Sequence, residues 1–369
     1  MVRLLEVEVK NLLKNLDLPI PKQFKLEDLN NPSIYPMVIK SQVPIGGRGK
    51  LGGIKFARNP EEARAIIPEL NSLAIKGYLP KTLLLEEKLS ILKEYYCGFL
   101  INRNEKLINF IFSEAGGIGI EQVSKESKEK IIIHQFTTFS KNLNELSEEL
   151  IKDIDLQENI KNQLKSLIVN FLKFIRSYDA ELFEINPLIE TLNHELIIAD
   201  ARMNIDDNAL FRHQEFKKNL EYYLNPLELR ARKLNMSYVE LDGNIGVICN
   251  GAGLVMGTID TVQSYGKMAA NFLDVGGGAD AERMYQALNI ITSNERVQVI
   301  LINIIGGITR CDEIAKGLIK FLNENKSFKF SLRLIGTNER EGQDLLKPYN
   351  ITIHRELDDA IQSLMKFLE

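Results

Sequence analysis

The run Val297-Gln298-Val299-Ile300-Leu301-Ile302-Asn303-Ile304-Ile305-Gly306-Gly307-Ile308-Thr309-Arg310-Cys311-Asp312 reads as an apolar strand, a glycine turn and the opening of a helix. Outward from it the same alternation recurs, with strands expected near residues 245–249, 270–275, 330–335 and 351–354. Strand-then-helix units at this spacing argue for a parallel sheet with helices on both faces, a doubly wound, flavodoxin-like α/β domain. In the order 2-1-3-4-5 the switch point lies between the first and third strands, and ligands bind outside their carboxyl ends. Those ends carry Asn250 and Gly306-Gly307-Ile308-Thr309. Asn250 could hydrogen-bond a substrate carboxylate, and free N–H groups at a helix starting near residues 310–312 favour an anion. The glycines serve equally well as tight βα turns, so both readings stand.

The first half lacks a clean βαβ repeat and reads as mixed α+β. Residues 4–16 have helical spacing and stop at Pro19 and Pro21. The strand Met37-Val38-Ile39 runs through Lys40 into residues 46–53, where five of eight residues are glycine. A helix is expected over 61–77, a strand over 82–87, and a strand pair over 95–102 and 107–112. Residues 141–177 read as helical, and strands over 182–190 and 195–201 flank a turn centred on Asn193. A charged stretch over 211–235 closes this half, so the domains are expected at 1–235 and 236–369.

With 369 residues, 44% hydrophobic and 26% charged, the composition suits two or three globular domains. A formal net charge of -4 provides no basic field for a nucleic-acid backbone. The opening residues break their apolar positions with Glu and Lys, unlike a signal peptide or membrane span. Cys97, Cys249 and Cys311 are odd in number and far apart, which favours a reducing, cytoplasmic compartment. Cys249 and Cys311 flank the ligand loops without a basic partner and read as small core residues. His134, His194, His213 and His354 form no metal pattern and read as structural or surface residues.

Two constellations in the first half carry chemistry. The glycines of residues 46–53 let backbone N–H groups approach an anion closely, while Lys40, Arg48 and Lys50 supply positive charge, which suits a triphosphate. A flexible surface loop with solvated charges fits that composition as well. If the strands around Asn193 form a hairpin, Asn186 lies opposite Asp200, and Glu184 falls on the same face two residues earlier. Such hard oxygen donors fit Mg²⁺ held on a nucleotide, against the plainer reading of a polar, solvent-facing hairpin. The Asn186-Pro187 step also reads as a strand edge or bulge.

Taken in order, several runs resemble the succinate–CoA ligase beta-subunit family across nearly the whole chain. They are Lys40-Ser41-Gln42-Val43 with Gly46-Gly47-Arg48-Gly49-Lys50, Phe183-Glu184-Ile185-Asn186-Pro187-Leu188, Asp207-Asn208-Ala209-Leu210-Phe211-Arg212, Leu241-Asp242-Gly243-Asn244-Ile245-Gly246, Asn250-Gly251-Ala252-Gly253-Leu254, Asn271-Phe272-Leu273-Asp274-Val275-Gly276-Gly277-Gly278 and Asn303-Ile304-Ile305-Gly306-Gly307-Ile308-Thr309-Arg310-Cys311-Asp312. The resemblance implies an ATP-grasp domain followed by a CoA-ligase domain. It implies formation of succinyl-CoA, ADP and phosphate from succinate, CoA and ATP, with GTP or malate as variants. The route passes through an acyl phosphate and a phosphohistidine on a separate alpha subunit, which also carries the CoA site. By residue, it assigns Lys40, Gly47, Arg48 and Gly49 to nucleotide phosphates and Glu86, Leu89 and Glu94 to the nucleotide site. Asn186 and Asp200 would hold Mg²⁺, and Glu184 would orient the histidine. Asn250, Gly307, Ile308 and Thr309 would face the acyl substrate at the contact with the partner. The chain departs from the family at Pro44, at Arg202, where a Lys is usual, and over residues 203–206. A non-catalytic scaffold subunit and a stand-alone carboxylate-amine ligase are the competing readings.

Overall fold

Apolar runs in the second half can be buried on both faces only if alternate side chains enter different cores. The computed structural model, which describes residues 2–117, 130–137, 142–222, 224–325 and 328–368, shows this alternation. Residue 141, the expected start of a helical stretch, lies outside them. Ile300, Ile302 and Ile304 enter one core with Met284, Leu288, Ile314, Leu318 and Phe321. Val299 and Leu301 enter the other with Val255, Val262, Ile361 and Leu364. Full burial of each such side chain is worth about 1.5–3 kcal/mol, so the strand is committed to a two-sided position.

The strands Ile245–Cys249, Asn271–Asp274, Val299–Ile305, Lys329–Ile335 and Ile353–His354 pair in parallel in the expected order 2-1-3-4-5. Helices Ala281–Thr292 and Cys311–Glu324 cover one face, and Ala252–Ser264 and Leu357–Met365 the other. A sixth strand, Ser237–Glu240, pairs antiparallel with Asn271–Asp274 at the edge. Only four residues long and next to a charged stretch, it has too little periodicity to be read from sequence. Gly306 donates to the Ile335 carbonyl at 2.6 Å, and an added Cβ would lie 2.8 Å from the Thr337 nitrogen, so this turn has no room for a side chain.

The chain folds as two units, Met1–Tyr223 and Leu224–Glu369. The sequence reading put this division near residue 235. Helix Pro226–Lys233 goes with the second unit because Ala231 is fully buried in that unit's core.

In the first unit, the antiparallel strands Gln23–Phe24, Leu83–Glu87, Met37–Ser41 and Ile54–Ala57 form a four-stranded sheet in that order. Helix Pro60–Ser72 covers it, burying Ala63 and Leu70 against Met37, Ile39 and Leu85. This helix ends short of the expected residue 77 because Lys76 and Gly77 adopt positive φ in a tight turn closed by Ile75 and Tyr78. A seven-stranded sheet has the order Val2–Arg3, Ala201–Ile205, Ala180–Thr191, Ile91–Asn102, Leu107–Ser113 and Ile131–Phe136, with Leu196–Ile198 also on Ala180–Thr191. The expected helical stretch is two helices, Leu143–Ile151 and Glu158–Ser177. The second brings Phe171 and Phe174 edge-on to the Phe183 ring, with centroids at 5.3 and 5.1 Å.

Replacing Phe171, fully buried in this core, tests how far the helix stabilises the sheet. Phe171→Ala should cost about 3–5 kcal/mol. Urea unfolding of the first unit should show a lower midpoint with a nearly unchanged slope.

Candidate functional site

The strand after the Asn193 turn keeps the expected register, yet it breaks in two. Leu196–Ile198 and Ala201–Ile205 both pair with Ala180–Thr191. Between them, Ala199 and Asp200 both direct their N–H groups toward the Pro187 carbonyl, at 3.2 and 3.4 Å. Pro187 has no N–H to return, which interrupts the ladder at this point. The Asn186-Pro187 step is also opposite a register shift between Tyr95 and Cys97, the bulge the sequence suggested. Asn186 donates its N–H to the Asp200 carbonyl at 3.1 Å, and Glu184 pairs with Arg202 on the same ladder.

Glu184, Asn186, Asp200 and Arg202 line a cavity of about 600 Å³, and the glycine loop, including Gly47, Arg48 and Gly49, forms another wall. The two constellations separated by over a hundred residues in sequence thus face one space. The Arg48 guanidinium donates to the Ser41 carbonyl at 3.0 Å, to Asp200 Oδ2 at 3.1 Å and to Glu6. Asn186 Oδ1 accepts from the Gly117 N–H at 2.8 Å. Glu94, half-buried, has its carboxylate against Gly117.

Beneath this cavity lies a buried ion cluster. Lys10 Nζ contacts Glu6 Oε1 at 2.8 Å and Glu86 Oε1 at 2.6 Å, and Lys40 Nζ contacts Glu6 Oε1 at 2.9 Å and Glu86 Oε2 at 2.7 Å. Both lysines also donate to the Ala199 carbonyl at 2.7 Å. Burial opposes the charge on Glu6, but Arg48, Lys10 and Lys40 together hold its pKa well below the ordinary carboxylate value. Burial is likewise the largest influence against Lys40 and Arg48, but the surrounding carboxylates together outweigh it, Glu6 and Asp200 for both and Glu86 also for Lys40, so both are raised. Asp200 goes the other way, as burial and the negative Glu6 raise it despite Arg48 and Lys40. Its charged form would therefore be stabilised by a further cation.

The sequence-predicted residues divide accordingly. Gly47, Arg48, Gly49, Glu184, Asn186 and Asp200 share the cavity. Lys40 and Glu86 lie in the ion cluster, each under a tenth exposed. Leu89 and Glu94 are half-buried and outside the cavity lining. Sequence reasoning missed Glu6 and Lys10, having treated the opening helix as structural. Their signal was present: in helix Glu6–Lys14 the two charges occupy the same stripe as Val9 and Leu13, and all four are buried.

In the second unit, Asn250 and the Gly307-Ile308-Thr309 loop meet at the carboxyl edge of the sheet. Both ends of the Asn250 amide bind the Ile305 backbone, donating to its carbonyl at 2.9 Å and accepting its N–H at 3.0 Å. This side chain pins the strand end. Thr309 is buried and its hydroxyl accepts from the Gly278 N–H at 3.0 Å, whereas Ile308 is 87% exposed. The Cys311 N–H at the helix start is taken by the Thr337 carbonyl at 2.9 Å. Cys249 and Cys311 are buried, and burial pushes their thiols up to about 12 and about 11.

The donor chemistry fits a hard divalent cation carried by a phosphate ligand. Asn186 supplies an amide oxygen and Asp200 a carboxylate, its side chain a third exposed. Among the described residues no group of three His, Cys, Asp or Glu side chains could hold a metal by itself, so remaining positions would fall to phosphate oxygens and water.

A family model described as an ATP-grasp domain matches residues 3–190, and one described as CoA-ligase matches residues 248–363. The chain is 40% identical over 371 residues to the ADP-forming succinate–CoA ligase subunit beta of Methanocaldococcus jannaschii, covering 100% of both chains. It is 42% identical over 333 residues to the GDP-forming succinate–CoA ligase subunit beta of Thermus thermophilus, covering 89% of this chain and 87% of the relative. Among solved structures, ATP citrate lyase from Methanothrix soehngenii in complex with citrate and coenzyme A matches 99% of both chains with a TM-score of 0.71 at 19% identity, a likeness of fold.

Asp200→Asn should lower affinity for the Mg²⁺–nucleotide complex by at least about tenfold while leaving the protein folded. Calorimetric titration with MgADP measures this, and an unchanged affinity would remove Asp200 from the metal site.

Proposed function

Because this chain belongs to the succinate–CoA ligase beta-subunit family, we propose that it forms succinyl-CoA, ADP and phosphate from succinate, CoA and ATP, reversibly and together with an alpha subunit. The observation that carries this reading is the meeting of the glycine loop with Glu184, Asn186 and Asp200 around one cavity, in a chain that matches its relatives end to end. ATP is favoured over GTP because ADP-forming relatives align along the full chain, although a GDP-forming relative is equally similar where it aligns.

In this reading the backbone of Gly47 and Gly49 approaches the nucleotide phosphates, and Arg48 provides a guanidinium for their oxygens. Lys40 adds positive potential from just below. Asn186 and Asp200 would hold Mg²⁺, which neutralises phosphate charge when bound. Glu184, beside Asn186 on the cavity wall, is suited to accept a hydrogen bond from the alpha subunit's histidine and so to hold the ring for phosphoryl transfer. Glu86, Leu89 and Glu94 would complete the nucleotide site.

The alpha subunit would supply the phosphorylated histidine and the CoA site. The Gly307-Ile308-Thr309 loop, with Ile308 almost fully exposed, would face the acyl substrate and the partner, while Asn250 holds the strand end beside it. Three free, buried cysteines fit a reducing compartment such as the cytoplasm. No helix among the described residues is long and apolar enough to cross a membrane.

The direct test is an ADP- or GDP-release assay with succinate, malate, CoA and Mg²⁺, on this chain alone and co-expressed with its alpha partner. Turnover in the pair only, fastest with succinate and ATP, is the expected result. Nucleotide binding without turnover for any acid would instead mark a scaffold subunit. Within the active pair, Glu184→Gln should leave MgADP affinity within about threefold but slow phosphorylation of the partner's histidine about 10²-fold or more. Labelling with γ-³²P nucleotide reads this step, and a normal rate would leave Glu184 a structural strand residue.

A further inference from the structure

Glu6 lies in the first turn of the opening helix with its side chain 2% exposed, yet it reaches all three buried cations. Its Oε1 contacts Lys10 and Lys40, and its Oε2 contacts Arg48. Gln42 steadies it, donating to Oε2 at 3.3 Å while accepting the Val7 N–H at 2.9 Å. The other two carboxylates of the cluster reach fewer partners. Among the described residues Glu86 contacts only the two lysines and Asp200 only Arg48. The guanidinium of Arg48 is thus divided between Glu6 and the carboxylate that faces the cavity.

We propose that Glu6 is a positioning residue that draws Arg48 away from Asp200 and so keeps the Asp200 carboxylate available to a divalent cation. An arginine fork and a carboxylate pair most strongly in a bidentate arrangement, with two parallel N–H···O bonds. Arg48 makes a single contact to Asp200, at 3.1 Å, through the Nη2 that also donates to Glu6, while its Nη1 donates to the Ser41 carbonyl. Removing the Glu6 charge leaves Nη2 to Asp200 alone and lets the guanidinium turn toward that carboxylate, in competition with the metal. The opening helix, remote in sequence from the phosphate loop and from Asp200, thereby sets how much the metal adds to nucleotide binding. This rests on the assignment of Asp200 to Mg²⁺ made above.

The test compares binding of MgADP with binding of ADP in EDTA, by calorimetry on the full chain, for the wild type, Glu6→Gln and Glu6→Asp. Wild-type protein should bind MgADP more tightly than free ADP. In Glu6→Gln that gain should shrink by about tenfold or more while free-ADP affinity stays the same or rises, and Glu6→Asp should recover part of the gain. Loss of one buried charge can unfold a protein. The double variant Glu6→Gln/Lys10→Met, which keeps buried charges balanced, therefore carries the same measurement if the single variant is unstable. An unchanged Mg²⁺ gain, or an equal loss of MgADP and free-ADP affinity, would overturn the proposal. A wild type that binds no nucleotide, or binds it without any Mg²⁺ gain, would instead overturn the nucleotide and metal assignment itself.

Discussion

The site depends on six charges held together, five of them buried, Glu6, Lys10, Lys40, Arg48 and Glu86, and the sixth, Asp200, a third exposed at the cavity. Taking a charge out of water costs several kcal/mol even after relaxation, so such a group persists only where partners surround it. Here each cation has at least two carboxylates or carbonyls in contact, and the signs balance at three and three. The cluster is weak evidence for stability, since a well-packed apolar replacement can stabilise as much. It does restrict geometry, because its members come from the opening helix, from the four-stranded sheet and its glycine loop, and from the break at Asp200. A shift of any one strips a buried charge of one of its partners.

That restriction explains how the glycine loop would be held in the phosphate-binding role proposed for it. A loop so rich in glycine has little conformational preference of its own. Arg48 anchors it at the middle, through Ser41 and Glu6, while Gly47 beside it adopts a positive φ with open space around it. The opposite wall is held by the sheet register, which places Glu184, Asn186 and Asp200 on one face. A one-residue slip would turn all of them away, and the Phe171, Phe174 and Phe183 packing behind the strand opposes such a slip.

The parts of the fold written in the sequence were those with a strict period. The parallel strands declared themselves because Ile300, Ile302 and Ile304 alternate with Val299 and Leu301 between two apolar cores, and the hairpin register followed from a turn at Asn193. The missed features had a tertiary cause. The strand Ser237–Glu240 is an edge addition, and the break at Ala199 and Asp200 depends on a proline in the neighbouring strand. Glu6 and Lys10 were hidden for a similar reason. Charges on a helix are read as solvent-facing, and only their place in the Val9 and Leu13 stripe contradicts that. Asn250 shows the converse limit: residue type suggested ligand recognition, and gave no sign that its amide also binds the Ile305 backbone on both sides.

The direction of the Asp200 shift joins these points to chemistry. In a cluster of equal and opposite charges, burial raises Asp200 while the three cations hold Glu6 low, so the protein spends its positive charge on the inner carboxylate and leaves the outer one short of it. On the proposed reading such a site is not finished by the chain alone. Its missing positive charge would arrive with the metal, and the metal in turn with the phosphates it neutralises, which would make metal and nucleotide favour each other's binding. Full neutralisation of Asp200 by the protein would have removed that dependence, and with it a reason to distinguish a metal-bound nucleotide from a bare anion.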